Sequence, residues 1–186
     1  MPDFLFLMES RLAPEQLAVI QRLQGLAGEL GLNLFLVGGA LRDMLCGQPI
    51  RDLDFAVEGS PLRLFRALEK APGVEIRQMD ETRKVAEMIF PGEVSVELAQ
   101  CRTERHTRPG AEPEIAPAAI HDDLRRRDFS MNAIGLSLNP ASRGLVLDPN
   151  NGAGDIERRE IRVLHNYSFV DDPVRLLRLV RFRTRL

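Results

Sequence analysis

Residues 51–59 read RDLDFAVEG, with two aspartates, Asp52 and Asp54, around a single leucine in an otherwise apolar run of strand type. A strand alternates its faces, so the two carboxylates share one face and Leu53, Phe55 and Val57 share the other. With Cα atoms about 7 Å apart, the two acids repel unless something positive sits between them. A solvated strand end would tolerate them. A magnesium site would use them, because Mg2+ takes one or two carboxylates together with substrate phosphate oxygens. Two such ions about 4 Å apart activate an attacking hydroxyl and stabilise a leaving pyrophosphate. A third acid is available in VSVELA (94–99), where Glu97 alternates with Val94, Val96 and Leu98. The plainer reading of Glu97 is a partly exposed strand glutamate.

Ahead of these acids stands LFLVGGALRD (34–43). Gly38 and Gly39 follow a short apolar strand and open a helix. Such a turn lets backbone approach a phosphate, and the helix start offers free N–H groups. The dinucleotide fingerprint is excluded, since position 40 is Ala and no third glycine follows. The Gly-Lys-Ser/Thr of a P-loop is absent as well. The turn is therefore a phosphate cradle of another kind or a plain tight turn.

The elements that must position these groups alternate without a regular βαβ repeat. APEQLAVIQRLQGLAGELG (13–31) has helical spacing of Leu17, Ile20, Leu23, Leu26 and Leu30, with Pro14 in the first turn and Gly31 at the stop. Strands are expected at 34–37, 52–57, 74–78, 85–90 and 94–101, with Pro91-Gly92-Glu93 as a hairpin turn. A helix should open at Ser60-Pro61. RTERHTRPGAEPEIAPA (102–118) reads as a mobile loop. An interrupted helix over 119–134, two short strands, a loop at PNNGAGD and a helix from Pro173 complete the pattern, which is that of an α+β domain with a mixed sheet flanked by helices.

Composition sets outer limits. The 186 residues are 44% hydrophobic and 28% charged, ordinary for a folded globular domain, and no apolar run approaches membrane-spanning length. Cys46 and Cys101 lack C-x-x-C spacing, which argues against a disulfide framework and fits a reducing cytoplasm. His106, His121 and His165 lack metal-ligand spacing. The net charge of −2 gives no global basic field, yet only Lys70 and Lys84 among the 25 basic residues are lysines. Arginine suits bidentate phosphate and base contacts, although a GC-rich genome also favours it. In the last segment, Arg175, Arg178, Arg181 and Arg185 take one side of a helix and Leu176, Leu177, Leu179 and Val180 the other. That apolar side asks for a partner, so a larger architecture is expected beyond residue 186.

Taken in order, LFLVGGALRDMLCGQPIRDLDFAVEG, RRDFSMNAI (126–134), LDPNNGAGDI (147–156) and DDPVRLLRLVRF (171–182) resemble the motifs of the class II tRNA nucleotidyltransferase and bacterial poly(A) polymerase family, within the DNA polymerase β-like superfamily. The resemblance implies a catalytic head over 1–148, with an N-terminal helix in 1–31, and a linker plus the start of an all-α neck over 149–186. It implies that Asp52 and Asp54 hold magnesium, with Glu97 as a catalytic candidate. Gly38, Gly39 and Arg42 would cradle the triphosphate. Arg126, Arg127, Asp128 and Asn132 would grip ribose and phosphates. Asp148, Gly152 and Asp155 would form a hinge. Asp172 and Arg175, with Arg178 beside them, would present a protein template to CTP or ATP. On spacing alone, Asp172 and Arg175 are an ordinary helical ion pair.

Two departures from the family pattern stand out: Asp171 where the family has Glu, and no glycine in QMDETRKVAEMIF for a hairpin turn. The implied reaction adds CMP or AMP to an RNA 3′ end, tRNA above all, with Mg2+ and release of pyrophosphate. Most of the RNA grip would come from C-terminal domains, and no membrane is involved. The alternatives are a poly(A) polymerase of the same family, a non-catalytic nucleotide- or RNA-binding module, and an aspartate-nucleophile phosphatase. The intact Asp52 and Asp54 oppose the module, and Phe55 and Ala56 oppose the phosphatase.

Overall fold

A computed structural model describes residues 3–184. The helices and strands run α1 (Phe4–Arg11), α2 (Pro14–Glu29), β1 (Asn33–Val37), α3 (Gly39–Cys46), β2 (Asp52–Glu58), α4 (Leu62–Glu69), β3 (Glu75–Asp80), β4 (Val85–Phe90) and β5 (Val94–Gln100). They continue through β6 (Arg102–Arg105), β7 (Glu114–Pro117), α5 (Ile120–Arg125), β8 (Gly135–Ser137), β9 (Val146–Leu147), α6 (Gly152–Arg158), α7 (Ser168–Asp171) and α8 (Val174–Arg183). Arg185, expected on the last helix, lies outside the described residues.

Seven strands form one sheet in the order β3-β4-β5-β2-β1-β8-β9. The β2–β5 pair is parallel and every other neighbouring pair is antiparallel, so the sheet is mixed, as expected. One face carries the main core. There Leu34, Leu36, Leu53, Phe55, Val96 and Leu98 meet α2 through Ile20 and Leu23, α3 through Leu41 and Met44, and α4 through Phe65 and Leu68. The strict alternation of β2 and β5 sends the other residues to the opposite face. That face is covered at one end by α5, whose Ile120 and Leu124 pack on Phe35, Val37 and Ala56. At the other end it is open.

Three local expectations change. The N-terminal region holds two helices, not one: Phe4 and Met8 of α1 are buried in the core, and Asp3 caps the helix by accepting from the N–H groups of Leu5 and Phe6. The segment expected as a loop over 102–118 pairs its ends as a two-stranded antiparallel arm, β6–β7, outside the main sheet. The β3–β4 hairpin forms without glycine. Asp80 accepts from the N–H groups of Thr82 and Arg83, and Lys84 takes the positive φ of 56° that a glycine would otherwise supply.

Candidate active site

The antiparallel register of β1 on β2 sets Val37 opposite Asp54, so the Gly38–Gly39 turn that follows β1 lies beside that carboxylate. The parallel register of β2 on β5 sets Asp54 opposite Glu97, and β4 sets Glu87 opposite Glu97. Three acids thus sit in one row across three strands. Asp52 is exposed and Asp54 half-buried, both on the open face of the sheet.

Gly38 has φ 71°, and a Cβ there would lie 2.9 Å from Arg127 Nη1 and 3.4 Å from Asp54 Oδ2. A side chain at 38 would fill the space between these two groups. The Gly39 backbone N–H lies near Asp54 and favours its ionised form. Burial pushes the Asp54 carboxyl above the ordinary carboxylate range, with Arg127 pulling down and Asp52 pushing further up. The Glu97 side chain stays open to the cleft, yet the protein around it also drives its carboxyl up, and the charges of Asp54 and Glu87 add to this.

These groups line a cavity of about 1000 Å³, in which the structure brings together Asp52, Asp54, Glu97, Gly38, Gly39, Arg42, Arg126, Arg127, Asp128, Asn132, Asp172, Arg175 and Arg178. Several arginines of the cavity pair with other acids. Arg42 pairs with Asp43, Arg126 and Arg127 with Asp123, and Arg178 with Asp128. Among the described residues no arginine forms an ion pair with Asp52 or Asp54. Two hard oxygen donors on one strand face, left without a cation in an arginine-rich cavity, fit a divalent metal ion. No three acids, histidines or cysteines among the described residues converge as ligands, so such an ion would draw its remaining ligands from substrate and water.

A chain of hydrogen bonds joins the segment after α5 to both ends of the cavity. Arg42 Nη1 donates to Asn132 Oδ1 at 2.6 Å, Asn132 Nδ2 donates to Asp128 Oδ1 at 2.9 Å, and Arg178 Nε donates to Asp128 Oδ2 at 2.7 Å. Phe182 of α8 is buried against this chain. Its ring faces the guanidinium of Arg42 at 5.0 Å and packs edge-on to Phe129. Arg127 differs from its neighbours, because its buried Nε has no hydrogen-bond partner.

Three groups of these residues are tied into the fold. Arg126 is tied within the protein: it donates to the Arg102 carbonyl, Asp123 and Glu104. It braces α5 against β6. Asp172 and Arg175 do not share a helix face. Asp172 is extended, with φ −135° and ψ 92°, and precedes α8, where its Oδ1 accepts from Val174 N–H. Proline at 173 forces this break, since the residue before a proline avoids the helical region. Arg175 Nε is 3.5 Å from Asp172 Oδ2, while its Nη1 and Nη2 donate to Ser168 Oγ and the Arg126 carbonyl. Asp148, Gly152 and Asp155 fasten α6 to the domain. Asp148 accepts from the N–H groups of Gly152 and Ala153, and fully buried Asp155 binds Ser130, Arg158 and Arg162.

Sequence reading missed Asp123. It is 1% exposed, yet it takes both Arg126 and Arg127. Burial alone would raise its carboxyl, but Arg127 and Arg126 outweigh that and hold it below the ordinary range. Its signal was its place three and four residues ahead of two arginines on a short helix. The arm also reaches the cavity's edge, where Gly110 N–H donates to the Asp171 carbonyl at 3.1 Å, beside Asp172.

Residues 34–162 match the family described as the poly A polymerase head domain. The chain is 41% identical over 179 residues to the A-adding tRNA nucleotidyltransferase of Halalkalibacterium halodurans, covering 96% of this chain and 42% of that protein. It is 38% identical over 177 residues to the CC-adding tRNA nucleotidyltransferase of Deinococcus radiodurans, covering 95% of this chain and 47% of that one. A solved CCA-adding enzyme in an apo form superposes with a TM-score of 0.88 at 35% identity, over 100% of this chain and 43% of that chain. The chain thus spans less than half the length of each of these proteins.

Proposed function

The chain belongs to the family of the poly A polymerase head domain, and on that premise we propose that it transfers AMP or CMP from ATP or CTP to the 3′ end of tRNA, releasing pyrophosphate. One observation carries this reading. Asp52 and Asp54 stand without ion pairs among the described residues, in the same cavity as the Gly38–Gly39 turn, Arg42 and Arg127. Relatives that add A and relatives that add CC are of similar identity to this chain, which is why both nucleotides are kept.

Asp52 and Asp54 would hold Mg2+, which when bound activates the attacking 3′-hydroxyl and stabilises the departing pyrophosphate. The turn at Gly38 and Gly39 admits a triphosphate close to backbone. Arg127, with its free Nε, and Arg42, held by Asp43 and Asn132, supply the positive charge that phosphates require. Asp172 offers a carboxylate to the exocyclic amine of cytosine or adenine. For Arg175 to address the same base edge, it would exchange its bond to Ser168 or its contact with Asp172. Glu97, opposite Asp54, would add a third acid to the metal's surroundings. Cys46 and Cys101, without C-x-x-C spacing, accord with a reducing cytoplasm.

The test uses labelled ATP and CTP with tRNAs ending before CCA or after CC, and with an unstructured RNA. Incorporation on tRNA that vanishes in Asp52→Ala supports the reading, whereas undiminished incorporation in Asp52→Ala sinks it. Long A tracts on the unstructured RNA decide for a poly(A) polymerase instead.

A further inference from the structure

We propose that Asp123 is a positioning residue that keeps Arg127 off Asp54, leaving the Asp52–Asp54 pair open to a divalent cation. The proposal rests on the reading of those two aspartates as metal holders.

The two oxygens of Asp123 divide their work. Oδ1 receives Arg126 Nε and Nη2 at 3.0 and 2.7 Å, and the Arg102 N–H at 3.2 Å. Oδ2 receives Arg127 Nη2 at 3.0 Å. The other terminal nitrogen of the same guanidinium, Nη1, lies 2.9 Å from where a Cβ on Gly38 would stand, and Asp54 Oδ2 lies 3.4 Å from that same point. The guanidinium is therefore close to two acids and ion-paired to one of them. Its Nε has no partner, and Asp123 supplies the ion pair that holds it.

Without the charge of Asp123, the attraction that remains is toward Asp54 and Glu97, and no side chain at Gly38 separates Arg127 from Asp54. An arginine–carboxylate pair there would occupy Asp54 Oδ2 with hydrogen bonds and cancel its charge, competing directly with a cation for one of two ligands. Asp123 is 1% exposed, so solvent does not weaken its hold.

Mn2+ binding, followed by the EPR signal of the free ion in the absence of nucleotide, tests this. Melting temperatures establish that each variant is folded. Asp123→Asn is expected to weaken Mn2+ binding by about tenfold, the scale on which a single close opposite charge biases a carboxylate. Arg127→Gln alone should leave Mn2+ affinity at or slightly above that of the unaltered protein. Adding Arg127→Gln to Asp123→Asn should restore it. A merely structural role for Asp123 would give no such restoration.

Equal Mn2+ affinity in the unaltered protein and Asp123→Asn overturns the proposal. So does a loss that Arg127→Gln fails to relieve, or a tenfold loss in Arg127→Gln alone. Should Asp123→Asn not fold, Asp123→Glu retains the pairing charge and is expected to bind Mn2+ normally; a loss there that Arg127→Gln does not repair overturns the proposal equally. Failure of the unaltered protein to bind Mn2+ refutes the metal reading itself, and this proposal with it.

Discussion

At the scale of single residues, the site keeps a carboxylate where protein and neighbouring charge disfavour its ionised form. The raised pKa of Asp54 means that the folded state holds a proton more tightly there than the unfolded chain does. The penalty is fully present above the raised folded-state value and disappears as the pH falls below the ordinary value of 3.8. Asp54→Asn should therefore melt higher than the unaltered protein at pH 7 without divalent ions. That advantage should shrink on acidification, and nucleotide transfer should be lost. Thermal melts from pH 7 to 4 check the sign. Asp123 behaves oppositely: its carboxyl is held low, so its contribution is present above the ordinary value and is lost as the pH falls through its lowered one.

At the scale of elements, glycines separate packing from propensity. Gly25 lies exposed in α2 with nothing within 4 Å of where a Cβ would stand. Gly25→Ala should stabilise by about 0.5–1 kcal/mol in denaturant titration. Gly152 is the reverse case. A Cβ there would lie 2.1 Å from the Ser130 carbonyl oxygen, which is backbone and cannot swing aside. Gly152→Ala should cost about 1–3 kcal/mol by overpacking. Strands β4 and β5 were legible in the sequence because each carries period-two alternation, as in VSVELAQ, and β1 because it is a short unbroken apolar run. The motif residues that line the cavity were legible because each motif is local. What eluded the sequence depends on partners far along the chain. Apolar FLFLMES fits strand or helix equally until Phe4 and Met8 are seen in the core. The β6–β7 arm has no hydrophobic face to announce it. The buried state of Asp123 follows from β2, β6 and α5 meeting, which no short stretch encodes.

At the scale of the whole molecule, α7 and α8 join the domain through few links, and these are the same ones that order the cavity. Arg175 reaches the Arg126 carbonyl, Arg178 reaches Asp128, and Phe182 packs on Phe129. Phe182→Ala should cost about 3–5 kcal/mol where that packing is formed. Amide exchange should quicken in α8 while β2 and β5 stay protected, and hydrogen-exchange mass spectrometry would read the contrast directly. The sheet order carries a further consequence. β1 sits between β2 and β8, with Phe35 opposite Ser137, and Arg42 waits for Asn132. A ribosome adding about 5–20 residues per second needs several seconds to travel between those partners. For most of that interval the two aspartates have already been made, while Arg127 and Asn132, which line the same cavity, have not. The nascent chain therefore passes through synthesis with its metal-seeking acids unframed, and competence for nucleotides arrives only when the C-terminal half of the sheet has emerged.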